Sequence, residues 1–382
     1  MSSIRTVAVV TGTRAEFGLL RPVMRAIQAS PRLHLRVVAG GAHLLPPART
    51  IREVEAEFDI AARVPMQRAG KASRAADAAA LGRGIQGFAR AFTRLRLDWV
   101  VVLGDRVEAF AAAAGASVAG IAVAHIHGGD RAEGIADEAM RHAITKLAHL
   151  HLAATELSAP RIRRMGERPE HVHVVGSPAI DGLRGIEPMS DREAHELGDP
   201  RIVALLHPSG LSAGSEVRTA RALARIAAAH PTLWLAPNHD PGREAIDAIR
   251  TGRGRGKAMH WECLDHLPRE SFIALLKRLA GRRGVLVGNS SAGLIEAAAI
   301  GLRVVNIGPR QSGRERARNV IDVPLDSLDG LPGAVARVQA MPRAKPTNIY
   351  GDGRAGRRIA KLLASAALDP HSARLLRKHN TY

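Results

Sequence analysis

The chain has 382 residues, of which 46 % are apolar and 3 % aromatic, with a formal net charge of +19 and a single cysteine, Cys263. No apolar run reaches the roughly 18 residues a membrane helix needs, and one cysteine excludes an intrachain disulfide. Arginines are spread along the chain and aromatic stacking platforms are few, so the charge points to an anionic small molecule, with no nucleic acid and no membrane as partner.

The first apolar run, residues 6–12 (TVAVVTG), passes directly into a Gly-Thr-Arg turn without a small-residue cleavage site. It reads as a first strand and not a signal peptide, and a cytoplasmic location is the default expectation. The turn Gly12-Thr13-Arg14-Ala15-Glu16 lacks the G-x-G-x-x-G pattern, so no dinucleotide is indicated. Arg14 reads as a bidentate clamp for a diphosphate or as a solvated helix-start arginine. Amphipathic stretches at Leu20–Ser30 and Arg49–Phe58 flank a strand-like run at 33–40 (LHLRVVAG). Further runs at 99–105, 121–127, 150–155 and 172–177 complete a doubly wound α/β domain over residues 1–180.

Ionisable groups concentrate between Val100 and His149. One strand ends in Gly104-Asp105, and the next ends in His125-Ile126-His127-Gly128-Gly129-Asp130. Open α/β sheets bind ligands beyond the carboxyl ends of their strands, so both ends deliver these groups to the ligand edge. The helix that follows places Ala136, Met140, Ala143, Ile144 and Leu147 on one face, and Asp137, Arg141 and Thr145 on another. His127 suits proton transfer because imidazole titrates near neutrality. Asp130 reads either as its alternative or as a cap for the next helix.

A Gly-, Pro- and Asp-containing seam at Gly176–Pro188 precedes a second domain of the same kind, residues 186–360, with strand-like runs at 201–208, 233–238, 284–290 and 303–308. His207 ends the first of these runs before Pro208 and is catalytic or structural. Gly288–Gly293 leads into an expected helix start at Leu294–Ile300, whose free N–H groups, with Ser290 and Ser291, suit a phosphate. Glu296 lies five residues after Ser291, too far for a capping box, so it is either a surface residue or has another role. Gly252, Gly254 and Gly256 among basic residues read as an exposed loop, and Gly353–Leu368 as a terminal helical segment.

Together VTGTRAEFGLLRPVM, GAHLLP, LGDR, AHIHGGD, ADEAMRHAITKLAH, VGSPAID, ALLHP, VGNSSAGLIEAAAIG, VNIGPRQSGRERARNVIDV and NIYGDGRAGRRI run in order along nearly the whole chain. They resemble the corresponding blocks of the hydrolysing UDP-N-acetylglucosamine 2-epimerases, the sialic-acid-pathway branch of that family. The resemblance implies an α/β, GT-B-like fold: two doubly wound parallel-sheet (Rossmann-like) domains facing a cleft. It also implies that residues 361–382 pack back on the first domain. The implied reaction converts UDP-GlcNAc and water to ManNAc and UDP, by anti elimination to 2-acetamidoglucal and addition of water. An alternative is the same reaction on a modified sugar such as UDP-2,4-diacetamido-2,4,6-trideoxyglucose, and a further alternative is a GT-B glycosyltransferase. The catalytic positions implied are Asp105, His127, Asp130, Asp137 and His207. The substrate-binding positions are Arg14, His43, Arg141, Asn238, Ser290, Ser291, Gly293, Glu296, Arg314, Tyr350 and Asp352. Some relatives carry Glu at the position of His127, so the second proton transfer falls to His127 or Asp130. No cofactor is implied, and a homodimer or tetramer is expected, with a stretch such as Gly82–Arg94 as interface. The His-x-His pairs at 125/127, 149/151 and 171/173 invite a zinc reading. The single cysteine and the absence of H-E-x-x-H and Asp-x-Asp favour metal-independent chemistry.

Overall fold

The computed structural model describes residues 4–46, 50–70, 73–132, 137–238, 240–252, 261–342 and 344–381. It divides into two units: Met1–Asp130, Ala136–Asp181 and Gly351–Tyr382 form the first, and Arg131–Ile135 and Gly182–Tyr350 the second.

The first unit holds β1 (Arg5–Thr11), β2 (Leu33–Gly40), β3 (Ile60–Val64), β4 (Trp99–Leu103), β5 (Ala122–Ile126), β6 (Leu150–Ala153) and β7 (Val172–Val174). They form one parallel sheet in the order β3-β2-β1-β4-β5-β6-β7. Helices cover both faces, which is why the strands read as unbroken apolar runs. Successive side chains alternate across β1. Val7 and Val9 enter a core with Leu20, Val23 and Ile27 of the Arg14–Gln28 helix. Ala8 and Val10 enter the opposite core with Phe88 of the Arg74–Leu95 helix and Ala112 of the Val107–Val118 helix.

The second unit repeats this plan with β8 (Ile202–Leu205), β9 (Thr232–Leu235), β10 (Glu262–Leu264), β11 (Val285–Gly288), β12 (Arg303–Ile307) and β13 (Val320–Val323). All are parallel, in the order β10-β9-β8-β11-β12-β13. Ile202, Ala204, Val285 and Val287 pack under Leu223 and Ile226 of the Ala213–Ala229 helix and Leu331 and Val335 of the Leu331–Ala340 helix. Each sheet reverses its strand order once, between β1 and β4 and between β8 and β11. Neighbouring crossovers diverge there, which leaves the crevice where doubly wound sheets bind ligands.

Three edge strands, β3, β10 and β13, lie outside the apolar runs read from the sequence. They are short and partly exposed, so their residues carry no continuous apolar signal. The chain rejoins the first unit at Gly351, earlier than residue 361, because the Ala355–Leu363 helix already belongs to that core. Its Ile359, Ala360 and Leu363 pack with Val23, Met24 and Ile27. Asp181 caps it, accepting the N–H groups of Ala355 at 3.0 Å and Gly356 at 2.7 Å, where unpaired donors and the helix dipole favour a carboxylate. Arg5 donates to the carbonyls of Leu363 and Ser365 at 2.8 Å each. Among the described residues no helix is long and apolar enough to cross a membrane. The expected basic loop at Gly254 and Gly256 lies outside the described residues.

The two helices meet closely at Gly356, where a Cβ would lie 2.7 Å from the Pro22 carbonyl oxygen. Gly356→Val should therefore lower stability by about 1–3 kcal/mol. Urea unfolding measures this, and an unchanged midpoint would contradict the close approach.

Candidate active site

Asp105 stands just past β4, after Gly104, whose φ of +75° turns the chain out of the strand. The Asp105 carboxylate pairs with Nη2 of Arg141, and Arg141 Nη1 donates to the Asp130 carbonyl at 2.8 Å and to Glu138 Oε2 at 2.9 Å. With 2 % of its side chain exposed, this guanidinium ties the β4 loop and the turn after β5 to the Asp137–Leu147 helix. Asp137 opens that helix, but its side chain lies outside the described residues. Glu138 was not anticipated; its only signal was the three-residue spacing to Arg141. His125 braces the same junction: Nε2 donates to the Gly104 carbonyl at 2.7 Å, and Nδ1 lies 3.2 Å from the Thr145 hydroxyl. Burial pushes His125 down to about 3, so it is neutral.

The turn after β5 is unusual in its backbone. His127 has a φ of +67° and Gly129 of +72°. A Cβ at Gly129 would collide with the Ser158 carbonyl, so only glycine fits there. The turn places His127 Nδ1 3.0 Å from Asp130 Oδ2, while Asp130 Oδ1 accepts the Ser158 hydroxyl at 2.8 Å. His127 and Asp130 are thus one buried pair.

Of the other first-unit positions, Arg14 opens its helix, one-third exposed, with Nη1 3.8 Å from Glu53. His43 is fully buried, with Nε2 3.0 Å from the Thr11 hydroxyl and Nδ1 2.7 Å from the Thr50 hydroxyl. Burial, with the Arg14 charge behind it, holds His43 at about 4. Its nitrogens are engaged by protein hydroxyls, and its side chain is screened from solvent. Beside it lie two buried carboxylates that sequence reasoning missed. Glu16 accepts the Gly12 N–H at 2.6 Å and is raised to about 8 by burial, and Glu108 accepts from Gln67 at 2.7 Å. Asp352 forms a bidentate pair with Arg358 at 2.7 and 2.8 Å, and Arg358 holds its carboxyl below the usual range.

In the second unit the loops after β8 and β11 meet. Asn289 accepts the His207 N–H at 2.7 Å and donates to the His207 carbonyl at 2.8 Å, clamping its backbone across the strand-order reversal. Asn238 N–H donates to His207 Nδ1 at 3.1 Å, so the ring proton sits on Nε2. Asn289 was another residue the sequence reading passed over, although it lies in the same turn as Ser290. Ser290 caps a short turn, Ser291–Gly293, and the α-helix starts only at Glu296, so the helix expected from Leu294 is interrupted. Glu296 is not a surface residue: it is 6 % exposed at its side chain and pairs with Arg269 at 3.2 Å. Arg314 Nε donates to the Arg131 carbonyl at 3.2 Å, and the buried Tyr350 hydroxyl to the Glu315 carbonyl at 2.8 Å. Among the described residues no three His, Cys, Asp or Glu side chains gather as a metal site would require.

Two doubly wound units carrying carboxylates, imidazoles and arginines at their ligand edges define a GT-B-like nucleotide-sugar enzyme. A sequence profile of the UDP-N-acetylglucosamine 2-epimerase family matches residues 25–364. The UDP-N,N'-diacetylbacillosamine 2-epimerase (hydrolyzing) of Legionella pneumophila is 36 % identical over 99 % of this chain and 100 % of its own. The UDP-N-acetylglucosamine 2-epimerase of Neisseria meningitidis is 31 % identical over 83 % of each chain. The Methanocaldococcus jannaschii UDP-GlcNAc 2-epimerase, solved with UDP-GlcNAc and UDP, shares the fold with a TM-score of 0.79 at 17 % identity, over 94 % of this chain and 99 % of that one. The chain belongs to the UDP-N-acetylglucosamine 2-epimerase family; it is a UDP-sugar 2-epimerase.

Its buried histidines set an acid limit on stability. His43, His149 and His151 are lowered to about 4 and His125 to about 3, each chiefly by burial. An unfolded histidine titrates near ~6.5. The stability these four contribute is complete above that value and is lost as pH falls toward 4, because the unfolded chain takes up protons the fold refuses. Glu16 opposes them: raised to about 8, it contributes fully below its unfolded value and loses that contribution as pH rises through 8. Four groups outweigh one, so the urea midpoint should fall between pH 7 and pH 5; a midpoint that held or rose would contradict the neutral histidines.

Proposed function

We propose that the protein hydrolyses its UDP-sugar while inverting C2. In the first step the C2 proton passes to a protein base, the C2–H electrons form the C1–C2 double bond, and UDP departs from C1 with its bonding pair. Water then adds across that double bond, its oxygen to C1 and a proton to C2 from the opposite face, releasing a free 2-acetamido sugar. The observation that supports this reading best is the Asp105–Arg141 pair: a carboxylate kept beside a buried guanidinium, 18 % exposed and so still reachable. Asp105 and Asp137 are the proposed carboxylates of the proton transfers, with His127 and Asp130 as the second pair. His207 presents a ring proton on Nε2 to an oxygen that gains charge. Arg14, Arg314 and the Ser290-Ser291 turn are the proposed phosphate contacts.

For the sugar, the 2,4-diacetamido-2,4,6-trideoxy substrate is the favoured reading, because the Legionella relative that matches from end to end bears that activity. UDP-GlcNAc is the second reading, supported by the Neisseria relative.

Each UDP-sugar incubated with the enzyme in deuterated water and followed by proton NMR tests both. The expected products are UDP and a free 2-epimer carrying deuterium at C2. Accumulation of a UDP-linked epimer would sink the hydrolytic step, and faster turnover of UDP-GlcNAc would decide for N-acetylmannosamine as product. Asp105→Asn and Asp137→Asn should each lower kcat by about 10²–10⁴-fold while UDP still binds. EDTA should leave the rate unchanged; loss restored by a divalent ion would refute metal-independent chemistry.

A further inference from the structure

Ser177, just beyond the carboxyl end of β7, has no role in the scheme above. It is fully buried, and its Oγ lies 3.0 Å from Nε2 of His127. Across the ring, Nδ1 lies 3.0 Å from Asp130 Oδ2. Nε2 is thus hydrogen-bonded to a hydroxyl, while Nδ1 faces a carboxylate at ion-pair distance without hydrogen-bond alignment.

Donor capacity settles where the hydrogens sit. An ionised carboxylate only accepts, so Nδ1 carries the ring proton and Nε2 is the bare nitrogen. With Nε2 bare, the Ser177 hydroxyl donates to it while its oxygen accepts the Ala179 N–H at 3.2 Å. The Asp130 carboxylate is held in turn by the Ser158 hydroxyl at 2.8 Å, and its backbone carbonyl by Arg141 at 2.8 Å. The result is a serine–histidine–aspartate order of contacts, a hydrogen bond on one side of the ring and a carboxylate charge on the other, which favours one tautomer and one orientation. A left-handed conformation is unfavourable for a non-glycine residue such as His127 and persists where its surroundings over-determine it. The hydrogen bond at Nε2 and the carboxylate beside Nδ1 are such surroundings.

We propose that Ser177 is a positioning residue for His127: with Asp130 it clamps the ring in the Nδ1–H tautomer and keeps Nε2 as the proton-accepting nitrogen. The reaction this serves rests on the 2-epimerase reading, but the tautomer does not.

The test has two arms. In the first, the full-length protein with 15N-labelled histidine is examined by long-range 15N–1H NMR, the His127 signals being assigned by their loss in His127→Gln. The expected spectrum shows His127 as Nδ1–H in the wild type and in Ser177→Thr, and mixed with Nε2–H in Ser177→Ala and Asp130→Asn. An Nε2–H wild type would overturn the proposal. In the second arm, Ser177→Ala should lower kcat by roughly 100-fold, the lower end of what positioned proton transfer contributes. KM should hold, and Ser177→Thr should recover most of the rate because it keeps the hydroxyl. An unchanged kcat in a folded Ser177→Ala enzyme would equally overturn it. A wild type that turns over neither UDP-sugar defeats the functional reading instead, and the NMR arm still decides the clamp.

Discussion

Arg141 is the residue on which the first unit's site depends. A guanidinium with 2 % of its side chain exposed needs partners, since an unpaired buried charge costs several kcal/mol. Its partners are Asp105, Glu138 and the carbonyl of Asp130, which lie on three different elements. Satisfying one cation therefore fixes the spacing between the end of β4, the turn after β5 and the helix that follows. Asp105, the His127–Asp130 pair and the start of the Asp137–Leu147 helix are brought into register by that one charge.

The parallel sheets supply the frame in which this happens. Their strands are buried on both faces, so polar groups can enter only at strand ends. The strand-order reversal then chooses which ends open onto a crevice. In the second unit the same logic places His207 against Asn289 across β8 and β11. There the clamp is a neutral amide that holds the backbone of the histidine from both its N–H and its carbonyl.

Much of this was legible in the residues. Central strands such as Trp99–Leu103 are continuous apolar runs because helices cover them on both sides, and each was readable for that reason. The edge strands β3, β10 and β13 were not, since an edge carries no obligatory apolar pattern. Spacing indicated that Asp137, Arg141 and Thr145 share a helix face, and the fold adds to Arg141 a partner thirty-six residues away, Asp105. His43 is a fully buried imidazole between two threonine hydroxyls, surroundings that its local sequence does not announce. Glu16 and Glu108 were invisible as a buried pair because nothing local marks a carboxylate that the fold will enclose.

The sequence alone determined the two doubly wound units, the ligand edge of each and the family whose motifs run along the chain. These follow from local periodicity, from glycines at strand ends and from ordered blocks of residue types, all of which are properties of short segments. Tertiary structure decided that Asp105 reaches Arg141, which hydroxyl meets Nε2 of His127, and which histidines are buried neutral. Those are contacts between segments 36 to 50 residues apart in the chain, set by packing across strand ends, and no local pattern encodes them.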